Sequence, residues 1–86
     1  MPYISTFFGI IIRMFYNEHN PPHFHGEYQG QRAMFDFNGN MINGYIHSKT
    51  AKKLIKEWAL LHRTELIENW YKMENGKPYD KIAPLD

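Results

Sequence analysis

Apolar and polar positions change their period near Ser48. From Phe7 to Tyr16 almost every position is β-branched or aromatic, in a run too short for a typical helix, so it predicts a first strand. Gly9 inside it marks a bulge or a close packing contact. Asn17 to Pro22 read as a loop, because consecutive prolines cannot sit in a central strand. His23 to Tyr28 predict a second strand, Gln29-Gly30 a two-residue turn, and Gln31 to Phe37 a third strand. Asn38-Gly39 carries the strongest hairpin signal, since a type I′ turn needs positive φ at both central positions. Met41 to His47 complete an antiparallel meander of about four strands.

Beyond Ser48, a plausible N-cap, the period becomes helical. Ala51, Leu54, Ile55 and Trp58 make one apolar stripe at i, i+3, i+4, i+7. That stripe fails after His62, where Glu65 and Asn69 occupy its positions and Leu66, Ile67, Trp70 and Tyr71 define another side. Either one long helix continues with two buried faces, or it kinks or breaks near His62–Thr64 into two. Gly76 and Pro78 close the helical region, and the tail residues Ile82 and Leu85 are expected to fold back. The fold class is α+β in a single domain over residues 1–86: sheet 1–47, helical part 48–76, tail 77–86.

Strand alternation divides the sheet into two faces. The Gln29-Gly30 turn puts Phe24, Gly26, Tyr28, Ala33, Phe35 and Phe37 on a core face, and the Asn38-Gly39 hairpin adds Ile42, Gly44 and Ile46. The other face then collects His23, His25, Glu27, Arg32, Met34, Asp36, Met41, Asn43, Tyr45 and His47, with His23 opposite Asp36 and Glu27 opposite Arg32. His19 leads into it from the loop. Three chemistries fit. His23 and His25, two residues apart on a strand, with Glu27 could bind a divalent metal such as zinc or nickel. His23 or His25 could act as general base with Asp36 fixing its tautomer. Or the face is a solvated sheet surface, with His19, Glu27, Arg32 and His47 in a binding or structural role.

The first strand is apolar on both sides, with Phe8, Ile10, Ile12, Met14 and Tyr16 on one and Phe7, Ile11 and Phe15 on the other. The second helical part and tail, or a partner chain, must cover what the first helix leaves. Lys49, Lys52, Lys53 and Lys56 form a stripe opposite the buried one. Cations in the first turns of a helix oppose its dipole and repel each other, which raises an anionic partner, nucleic acid or an acidic protein surface, as the alternative to the favoured reading of a solvated face.

Composition narrows the choice. The 86 residues include no Cys, which excludes disulfides, thiolate metal sites and Cys nucleophiles. Hydrophobic residues at 43% and aromatics at 16% suffice for a packed core. The net charge of +1 points to no partner. No apolar run approaches a membrane span, so the expectation is a cytoplasmic protein that does not contact membrane.

Several segments carry a resemblance. They are Met1-Pro2, Phe7-Phe8-Gly9-Ile10 with Ile12 and Met14, His19-Asn20-Pro21-Pro22-His23-Phe24-His25, and Glu27-Tyr28. Downstream come Glu57-Trp58-Ala59, Leu61-His62-Arg63, Glu65-Leu66, Glu68-Asn69-Trp70, Lys81-Ile82 and Pro84-Leu85. Together they are similar to a small bacterial family, domain of unknown function 4160, over nearly the whole chain. The His19–His25 segment is the most specific part. Family members usually have Ala where this chain has Gly26. The resemblance implies a product of a two-gene, toxin–antitoxin-like operon, hence a protein partner encoded beside it and RNA or DNA as a target.

The leading expectation is therefore an interaction module that works through the His/Glu/Asp face on a protein partner from the same operon or on a second copy. The alternative is a histidine- or metal-dependent nuclease or hydrolase. No cofactor is expected beyond that divalent metal.

Overall fold

A computed structural model describes residues 3–86. Five antiparallel strands form one sheet in sequence order: β1 (Tyr3–Phe7), β2 (Ile10–Arg13), β3 (Phe24–Tyr28), β4 (Gln31–Phe35) and β5 (Met41–Gly44). Two helices follow, α1 (Lys49–Leu61) and α2 (Arg63–Glu74). The α+β order of a meander and then helix agrees with the sequence expectation, but there are five strands.

The extra strand, β1, lies before the predicted first strand and shares only Phe7 with it. Phe8 and Gly9 both have positive φ, 49° and 79°, so the chain turns there and pairs Tyr3–Phe7 with Ile10–Arg13 as a hairpin. Phe7 then pairs with Ile10 and shares its face, instead of opposing it. The turn leaves Phe8 59% exposed and brings Phe7, Ile10 and Ile12 into one core. This hairpin, with α2 and the tail, disposes of much of the apolar surplus. Leu66, Trp70, Met73 and Ile82 are buried in the same cluster as Ile4, Ile10, Ile12 and Met14.

The second correction concerns Asn38-Gly39. Only Gly39 takes a positive φ, at 81°, so no type I′ turn forms. Asp36 organises the loop instead: its Oδ1 accepts hydrogen bonds from the backbone N–H groups of Asn38 and Asn40, each at 2.9 Å. The loop returns with Phe35 opposite Met41 and an irregularity beside it. Parity in β5 is thereby shifted. Met41 packs against the core, while Ile42, expected inside, is 44% exposed. Gly44, with φ of 72°, ends the strand three residues before the predicted end at His47. Ile46 is buried as expected.

The Gln29-Gly30 turn keeps its predicted register, with Phe24 opposite Phe35 and Glu27 opposite Arg32. Phe24, Gly26, Ala33, Phe35 and Phe37 are accordingly buried. Ser48 caps α1, its Oγ accepting from the Ala51 N–H at 3.0 Å, a device typically contributing about 1 kcal/mol. Ala51, Ile55 and Trp58 are buried against the sheet. Trp58 lies between Phe7 and Phe24, with ring centroids 5.5 and 5.7 Å away.

The helical region breaks at His62, whose φ of −115° leaves the helical range and separates α1 from α2. The break turns the second apolar face inward. Asn69, polar at a core position, is 2% exposed yet fully engaged. Its Nδ2 donates to the Asp80 carbonyl at 2.7 Å, and its Oδ1 accepts from the Asp80 N–H at 2.9 Å. This pins the tail, and the Ile82 N–H then donates to the Ile4 carbonyl at 2.8 Å, beside edge strand β1.

Candidate metal site

The candidate site lies where the loop after β2 enters β3. His25 is on the sheet face turned away from the helices, in a row with Arg13, Met34 and Asn43 on neighbouring strands. His23 precedes the strand and is only 3% exposed. Its ring packs on Trp70 of α2, with centroids 5.4 Å apart, and on His25 at 5.1 Å. Glu18 reaches both from the loop. Its Oε1 lies 2.7 Å from His25 Nε2 and 3.6 Å from His23 Nε2. One donor atom from each of Glu18, His23 and His25 falls within 4.8 Å of the others.

The hydrogen bonds decide what these atoms offer. A carbonyl can only accept, so the 2.7 Å contact between His23 Nδ1 and the Pro21 oxygen places a proton on Nδ1. In the neutral ring, Nε2 then carries a lone pair. That atom is buried and has no hydrogen-bond partner among the described residues. It faces a carboxylate oxygen at 3.6 Å, another lone-pair group. Two acceptors turned toward each other in a buried place are stabilised by a cation between them. His ligands to metals are commonly held by such a second-nitrogen hydrogen bond to a carbonyl. At zinc bond lengths, tetrahedral donors sit roughly 3.3 Å apart, so this set needs movements of about 1 Å to close on an ion.

The carboxylate is a different one from that expected. Glu27 Oε2 accepts from Arg13 Nε at 2.7 Å, and Glu27 Oε1 lies 3.7 Å from Arg32 Nε. Arg13, not His25, sits beside it, because β2 supplies the neighbouring row. Asp36 is likewise committed to its loop, and no hydrogen bond or ion pair joins it to His23, which has turned toward α2. The predicted His23–Asp36 pair is therefore absent. His47 is exposed at the other edge of the sheet, where its N–H donates to Gln31 Oε1 at 2.7 Å. His19 is exposed in the loop, outside the cluster. Lys49 and Lys53 are exposed on α1, Lys52 lies 5.3 Å over the Tyr45 ring, and Lys56 donates to Asn40 Oδ1 at 2.8 Å. Glu18 was hidden from strand parity because it lies in the loop. Its signal was proximity in sequence: a carboxylate five and seven residues before the two histidines.

A cavity of about 550 Å³ lies next door and not at the cluster. Apolar Pro22, Phe37, Ile67, Trp70 and Tyr71 line it together with polar and charged residues that include Asp36, Arg63 and Glu74, and it shares Trp70 with the packing around His23. Its polar groups do not converge as metal donors, whereas Glu18, His23 and His25 do, so the cluster is the better candidate for a metal.

The family model described as Domain of unknown function (DUF4160) matches residues 9–71. The chain belongs to this family. The matched span includes all three clustered residues and both helices up to Tyr71, so the domain of unknown function 4160 region includes the site and most of the core around it. Comparisons with curated proteins and with solved structures returned no match. Among the described residues no helix is long and apolar enough to cross a membrane.

Proposed function

We propose that this protein is a small metal-dependent hydrolase whose divalent ion, zinc or nickel, is held by Glu18, His23 and His25. The observation that carries this reading is the buried, unpartnered His23 Nε2, oriented by Pro21 toward a carboxylate and a second imidazole. Two histidines and one carboxylate form a borderline donor set that leaves a coordination position for water or substrate. A bound ion would lower the pKa of that water and supply hydroxide near neutral pH. The residues themselves fix the donors: Pro21 sets the His23 tautomer, Phe15 flanks the His25 ring at 4.6 Å, and Trp70 backs His23.

Calorimetric titration of the chelator-treated protein with zinc tests it. One equivalent should bind, and His23→Ala should abolish binding; no binding by the native chain would end the proposal.

A second reading, an interaction module of a toxin–antitoxin-like pair, is favoured by the adjacent Leu60 and Leu61 at the end of α1, 53% and 69% exposed. Such paired apolar side chains suit a protein contact. Co-expression with the product of the neighbouring gene should give a complex that Leu61→Glu disrupts; two separate monomers would defeat it.

A further inference from the structure

We infer that the open sheet face beside the Glu18–His23–His25 cluster binds the phosphoryl group of the substrate, with Arg32 as its anchor; this rests on the metal reading above. Three observations combine. First, a cavity of about 240 Å³ borders His25 and is lined also by Arg13, Phe15, Glu27 and Arg32. A second, shallow cavity of about 260 Å³ continues from the same His25 and Arg32 to Met34 and Asn43. The two share a ligand histidine and an arginine, so they make one trough across β2 to β5.

Second, Glu27 holds its two arginines unequally. Glu27 is one carboxylate between two guanidiniums, at 2.7 Å from Arg13 and 3.7 Å from Arg32. Its closer bond goes to Arg13, and both members of that pair are about four-fifths buried. Arg32 is held only at the longer distance and its side chain is 73% exposed. Arg32 is therefore the more loosely held guanidinium of the two, on a side chain that borders both cavities with His25. Glu27 acts here as a positioning residue, fixing the arginines and not the metal.

Third, the chemistry selects the anion. A divalent ion on His25 and a guanidinium bordering the same cavities would match a tetrahedral anion with several oxygens, one set for the metal and another for the planar N–H fork. A carboxylate has only two oxygens and would have to choose between the ion and the fork or bridge them with neither fully satisfied. The shared chemistry is a phosphoryl group, carried by free phosphate or by a phosphate ester.

The test uses the full chain loaded with cobalt(II), whose visible spectrum reports anions entering its coordination sphere. Inorganic phosphate and phenyl phosphate are titrated separately, with acetate as control. Spectral change with phosphate or its ester, and none with acetate at equal concentration, supports the inference; tighter binding of the ester identifies an ester, and equal or tighter binding of phosphate identifies the free ion. Arg32→Gln should weaken phosphoryl binding about tenfold or more, while leaving cobalt affinity unchanged. Cobalt binding without any phosphoryl response, or a response that Arg32→Gln does not alter, overturns this inference and leaves the metal site standing. Failure to bind cobalt or zinc overturns both.

Discussion

Glu18 and Glu27 are chemically identical side chains nine positions apart, and the proposed metal site gives them opposite duties. Replacing each by Gln separates those duties. Glu18→Gln removes the anionic donor from the metal cluster but keeps an oxygen able to accept from His25, now 2.7 Å away. The metal-free protein should change in stability by less than about 1 kcal/mol. Zinc affinity should fall by more than about 100-fold, because changes merely adjacent to metal ligands already cost about 10–100-fold. At a zinc concentration of 100 times Kd, the native protein gains about 2.7 kcal/mol, which raises Tm by roughly 10–20 °C for a domain of this size. Glu18→Gln should lose nearly all of that rise. Glu27→Gln should behave in the reverse way. It breaks the charge-assisted bond to Arg13, about four-fifths buried on both sides. That costs about 1–2 kcal/mol and lowers the metal-free Tm by roughly 5–15 °C, with the zinc-induced rise intact. Thermal denaturation followed by circular dichroism, with and without zinc, reads all four numbers. If Glu27→Gln removes the zinc response and Glu18→Gln keeps it, the ligand assignment argued here is refuted.

Three further predictions concern the frame around the site. At Gly39 an added Cβ would lie 2.6 Å from the Lys56 Cα in a backbone of φ 81°, so Gly39→Ala should destabilise by more than about 2 kcal/mol in urea unfolding. Asn69→Ala should release the tail, costing about 1–3 kcal/mol and exposing the Lys81–Ile82 peptide bond to trypsin; unchanged digestion would contradict the pinning role of Asn69. Lys81 donates to the Tyr3 hydroxyl at 3.0 Å, which holds the Tyr3 phenol below its usual 10.0 and Lys81 above its usual 10.5. A depressed phenol favours folding only once pH rises past its folded-state value, and a raised ammonium ceases to do so above its own. The pair's ionic attraction is therefore confined to alkaline pH between those two values, and NMR titration of Tyr3 in Lys81→Met should return it upward.

Much of this molecule follows from local sequence. The change of period at Ser48, the parity of β3 and β4, and the Ala51–Ile55–Trp58 stripe depend only on spacing and on a two-residue turn, so they are readable without coordinates. Strand parity likewise separates Phe24 from His25, since alternate side chains must leave a strand on opposite sides. What sequence left open was decided by contacts distant along the chain. Phe8 accepts positive φ because the hairpin lets Phe7, Ile10 and Ile12 share one core, a gain invisible in a continuous apolar run. Asp36 reshapes the β4–β5 loop by capturing two N–H groups, and thereby reverses the facing of Met41 and Ile42. Trp70, 47 residues after His23, draws that imidazole under α2 and away from Asp36. Glu18 becomes its companion only because the loop through Pro21 folds over the end of β3. Periodicity specifies elements and faces, since these depend on neighbours along the chain. A metal-competent cluster depends on where loops land, and packing between segments far apart in sequence decides that.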